Sequence, residues 1–92
     1  MRFLRNLILK QAYYDGVAMG CKEEAYWDPV RYDELSLGTQ RKIELMKQQG
    51  FRDAKAGEVV SLKLFNWREV LRRAEAADAA DKALERAAVA SG

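Results

Sequence analysis

The chain has no histidine. That removes the usual general base, the commonest zinc ligand and the ordinary serine or cysteine triads. A single cysteine, Cys21, excludes both an intramolecular disulfide framework and a zinc knuckle, and it fits a reducing compartment. Lys22, Glu23 and Glu24 beside it form no dense cationic cluster that would activate the thiol, so Cys21 reads as a small buried hydrophobe. Neither a Gly-x-x-x-x-Gly-Lys-Ser/Thr nor a Gly-x-Gly-x-x-Gly occurs, which leaves no phosphate-cradling loop. No apolar run approaches the roughly 20 residues that span a bilayer. The short run Leu7-Ile8-Leu9 is followed by no small-residue cleavage site, unlike a signal peptide. These absences predict a soluble, cytoplasmic protein with no cofactor, no metal and no membrane attachment, and they argue against an enzyme.

What is present describes one small globular domain. The sequence has 92 residues, 49% of them hydrophobic and 33% charged, with Pro29 as its one proline. A disordered tail would carry fewer apolar residues and more proline. A chain this short buries only about two-thirds of its unfolded surface, so a partner that completes the fold is a reasonable expectation. The formal net charge is +2, from 16 basic and 14 acidic residues spread along the whole length. That balance allows nucleic acid as a partner without favouring it.

The pattern predicts a mainly α fold of three to four helices over residues 1–92. Leu4, Leu7, Ile8, Gln11, Ala12, Tyr14, Val17, Ala18 and Cys21 recur at threes and fours, predicting a helix over 2–26 that Trp27-Asp28-Pro29 ends. Asp15-Gly16 could make a hairpin turn, but the flanks do not alternate as strands do. Ala12, Gly16 and Gly20 form a small-residue stripe that suits a close helix crossing inside the fold. A second helix is expected from about Ser36 or Thr39 to Gln49, with Gly50 as its stop. Residues 58–65 contain a β-capable run, Val59 to Phe65, for which a short helix is weighed narrowly above a β element. Asn66-Trp67-Arg68-Glu69 has the form of a capping box opening a long alanine-rich helix. Large apolar residues thin out beyond Leu71, so residues 74–92 are expected to project, to fray or to lie along a partner.

Three groups of residues compete as functional candidates. The carboxylate pairs Glu23 with Glu24, Asp33 with Glu34, and Asp78 with Asp81 read as solvated surface rather than acid–base machinery. Residues 41–59 partly resemble a helix-turn-helix with Gly50 at the turn, and Arg41, Lys42, Arg52 and Lys55 would then contact nucleic acid. Met46, Gly57, Asp53 and Glu58 spoil that match, and an ordinary helix hairpin is the simpler reading. Aromatic and large apolar side chains are the third group: Tyr13, Tyr14, Trp27, Tyr32, Trp67, Leu71 and Leu84 are expected to face a partner. Adjacent tyrosines on a helix cannot both enter one core, so Tyr13 or Tyr14 should be partly exposed. The expectation is a non-catalytic interaction or assembly subunit (a small adaptor, a regulator or a virion-type component) that binds another protein or copies of itself as an oligomer. The alternative is a small helix-turn-helix-like DNA-binding regulator.

Overall fold

A computed structural model of the chain describes residues 2–21 and 36–91. Among the described residues three helices carry the fold: α1 (Arg2–Gly20), α2 (Leu37–Ala56) and α3 (Trp67–Ser91). One 3-10 turn, Leu62–Leu64, sits between α2 and α3, and no strand occurs among the described residues. The mainly α expectation holds. The part of the expected first helix beyond Cys21, with its Trp27-Asp28-Pro29 stop, lies outside the described residues.

α1 runs straight through Asp15-Gly16, where Gln11 donates from Nε2 to the Asp15 carboxylate one turn on, at 2.9 Å. Ser36 caps α2 by accepting the Thr39 N–H on its hydroxyl oxygen at 3.2 Å. The helix then passes Gly50 without interruption, so that glycine is not its stop. Gly57 is. It takes φ +72°, its N–H donates to the Ala54 carbonyl at 3.3 Å, and the Glu58 N–H donates to the Asp53 carbonyl at 2.7 Å. This pair of bonds is the Schellman end of a helix, and the left-handed φ is open to glycine at little cost.

Gly50 serves the crossing of α1 on α2 instead. A Cβ there would overlap the Tyr13 carbonyl oxygen, and one on Gly16 would overlap that of Lys47. Backbone lies against backbone at both places, as the small-residue stripe on α1 anticipates. Around that crossing Leu9, Ala12 and Tyr13 of α1 are buried with Ile43, Leu45 and Met46 of α2. α3 adds Val70, Leu71 and Ala74.

The β-capable run becomes neither strand nor regular helix. Val60 donates its N–H to the Tyr13 hydroxyl oxygen at 3.0 Å, and its carbonyl accepts the Tyr14 O–H at 2.5 Å. Two tyrosines thus meet the demand that a neighbouring strand would otherwise meet. Asn66 accepts the Arg68 N–H on its side-chain oxygen at 3.1 Å, capping α3 as its sequence indicates.

Candidate interaction surface

α3 is covered along only part of its length. Val70, Leu71 and Ala74 face the core, and Asp78 and Asp81 carry the same side outward to the arginines of α2. Arg41 reaches Asp78 at 2.7 Å and Arg52 reaches Asp81 at 2.9 Å. The two arginines lie eleven residues apart, about 16 Å along α2, yet they converge on one turn of α3. Helices lying side by side would not bring them together so, and α3 therefore crosses α2. Beyond the crossing nothing among the described residues covers it: residues 79–90 are exposed throughout, with Leu84 at 69%.

The exposed stretch has an apolar side of its own. At 3.6 residues per turn, Ala76, Ala80, Ala83 and Leu84 sit about 140° around the helix from the core-facing Val70, Leu71 and Ala74. Alanine, the strongest helix former, supports this stretch, and Lys82 bridges back to Asp78 at 3.1 Å. The result is a helical arm already in its folded shape.

The aromatic and apolar candidates part company here. Tyr13, at 0% exposure, and Leu71, at 6%, are core residues, so the expectation that they face a partner is corrected by burial. Tyr14 and Trp67 are half-buried, and Tyr14 packs edge-on against the Tyr13 ring with centroids 4.9 Å apart. Leu84 is on the surface as expected. Trp27 and Tyr32 lie outside the described residues, as do Glu23, Glu24, Asp33 and Glu34.

The helix-turn-helix expectation fails on geometry, because residues 41–56 are one unbroken helix and the turn at Gly50 does not exist. Arg41 and Arg52 are engaged by Asp78 and Asp81, and Lys55 stands 5.5 Å over the Phe51 ring. Lys42 is partly exposed on the same helix. Asp78 and Asp81 are accordingly not free solvated carboxylates but the acceptors of cross-helix ion pairs. Cys21 is exposed at the end of α1, against the expectation of burial.

A buried polar cluster escapes the sequence reading altogether. Asp53, 3% exposed, accepts from the Tyr13 hydroxyl at 2.6 Å and from Gln49 Nε2 at 2.8 Å. Arg73 grips both its oxygens, at 3.3 and 2.9 Å. Burial by itself would raise the Asp53 carboxyl. The hydrogen bonds from Arg73, Tyr13 and Gln49 outweigh it and hold the group below the usual carboxylate range. The Tyr13 phenol is pushed up to about 12, first by burial and then by its bond to Asp53. The spacing of Met46, Gly50 and Asp53 places an acid on the core side of α2, a hint that says nothing of the partners Tyr13 and Arg73 supply.

The buried polar atoms of this cluster are satisfied by internal partners, while the Arg73 side chain stays partly exposed. Among the described residues no group of carboxylates or cysteine could hold a metal, and no helix is long and apolar enough to cross a membrane. Comparison with protein-family models, with curated proteins and with solved structures found no match to this chain.

Proposed function

We propose that this chain is a non-catalytic interaction subunit that engages another protein, or a second copy of itself, through the outer part of α3. One observation carries the reading: the helix continues over residues 79–90 with every residue exposed and Leu84 at the centre of an alanine-lined side. Helices of that length gain most of their stability from packing an amphipathic face, and this one has none to pack against within the described residues. A preformed arm also loses little conformational freedom on docking, which favours association.

Sedimentation velocity over a concentration series, run on the wild type and on Leu84→Glu, separates the two occupants. A second copy gives a mass that rises with concentration and a variant that stays monomeric. A foreign partner gives a monomer at every concentration, with the protein captured from the native host by the wild type lost from Leu84→Glu. Identical behaviour of the two proteins in both experiments overturns the proposal.

A further inference from the structure

All three helices meet at Asp53. Its carboxylate is bonded to Tyr13 of α1, to Gln49 of α2 and through both oxygens to Arg73 of α3. The Asp53–Arg73, Arg41–Asp78 and Arg52–Asp81 pairs join α2 to α3, and each has an aspartate as acceptor. The α1–α2 crossing is of another kind. It rests mainly on backbone contact at Gly16 and Gly50 and on Leu9, Ala12, Ile43 and Met46, none of which titrates, with the Tyr13–Asp53 hydrogen bond as its one tie to the carboxylate. To that core α3 adds the buried side chains of Val70, Leu71 and Ala74, with Trp67 packed against it at the pivot end of the helix.

We propose that α3 is an acid-releasable arm: protonation of Asp53 undocks it, pivoting on residues 57–66, while α1 and α2 stay crossed. The charged and titratable groups facing Asp53 are Arg73 from α3, Tyr13 from α1 and, behind Gln49, Arg52 of α2 at 3.4 Å from the amide oxygen. Once the carboxylate is neutral, the Arg73 guanidinium has no other anion at hydrogen-bond distance among the described residues. Only Glu58 and Glu69 line the same shallow groove, and both are exposed. Acid also neutralises Asp78, which faces Arg41 and Lys82. The ties of α3 at Asp53 and Asp78 therefore fail together, and the apolar contacts left beyond Trp67 are those of Val70, Leu71 and Ala74. Release bares Val70, Leu71 and Ala74 along with the surface of α2 beneath them.

Hydrogen exchange read by mass spectrometry tests this on the full chain. At neutral pH, Asp53→Asn should lower protection over residues 70–80 by about a hundredfold, the lower end of what removing one partner of a buried ion pair costs. Protection around residues 12–16 and 46–50 should persist. Asp78→Asn with Asp81→Asn, which leaves the buried cluster intact, should keep α3 docked. The wild type titrated from neutral pH into acid should lose protection in α3 at a higher pH than in α1 and α2. A single transition shared by all three helices overturns the proposal, and so does an Asp53→Asn protein whose α3 stays protected.

Discussion

Tyr13 and Tyr14 show how one pair of side chains can replace a secondary-structure element. Their hydroxyls bond the N–H and the carbonyl of Val60, so the chain between α2 and α3 is tied down with no strand beside it. Tyr13→Phe removes the oxygen that accepts from Val60 and donates to Asp53. It should lower unfolding stability by about 1–3 kcal/mol in a urea titration, the range for a buried polar group left without its partner. Its pH dependence has a definite sign. The folded state holds the Tyr13 proton more tightly than the unfolded chain does. Stability from this phenol is therefore fully present below pH 10 and is lost as pH rises through about 12. Burial raises Tyr14 as well, so Tyr13→Phe should make the alkaline fall in stability shallower without abolishing it. A variant as steep as the wild type above pH 10 would refute the assignment. Asp53 has the opposite sign. Its folded pKa is lowered, so its contribution is present above 3.8 and disappears as acid takes the pH down through the folded value.

At the scale of the element, two glycines of α2 carry opposite predictions. Gly50→Ala would drive a methyl into the Tyr13 carbonyl, an atom of helix backbone that cannot swing aside, and Gly16→Ala of α1 meets Lys47 in the same way. Each should destabilise by at least the ~1–3 kcal/mol typical of overpacking. At Gly38, exposed in the first turn, an added methyl would meet nothing within 4 Å, so Gly38→Ala should stabilise by up to about 1 kcal/mol through helix propensity alone. Thermal melts of the three variants would show both directions, and a neutral Gly50→Ala would mean that the crossing is looser than described. The contrast also explains which elements are legible in the sequence. The Asn66 cap, the length of α3 and the close-packing stripe on α1 are local patterns, and each appears where the sequence indicates, while of the two starts it offers for α2, Ser36 or Thr39, the structure takes Ser36. Gly50 is not legible as a contact residue, because a glycine that ends a helix and one that admits a neighbouring backbone look alike until the neighbour is known. Asp53 stays hidden for a related reason. An acid at that spacing belongs on the surface unless Arg73, twenty residues on, arrives to meet it.

At the scale of the whole molecule the described residues are lopsided: the buried ones among them lie between Leu9 and Ala74, and α3 continues past them. Legibility divides along the same line. Thin apolar content beyond Leu71 points to a projecting helix, whereas the direction of that projection depends on how Arg41 and Arg52 draw Asp78 and Asp81 across α2, which no local pattern encodes. Removing residues 83–91 provides a test at this scale. The deletion spares Val70, Leu71, Ala74 and the ion pairs between α2 and α3, and the side chains of residues 83–90 that it takes away are exposed, on the far side of the crossing. The urea midpoint should therefore stay within about 0.5 kcal/mol of the full chain, as for surface changes that remove no buried contact. The slope of the transition should change little, because it tracks area exposed on unfolding and an already exposed helix adds little. Helical circular dichroism should fall by the share of the deleted residues, and the association that Leu84→Glu abolishes should go with them. A large loss of stability would instead show that residues 83–91 belong to the fold, which would withdraw the reason for calling them an arm.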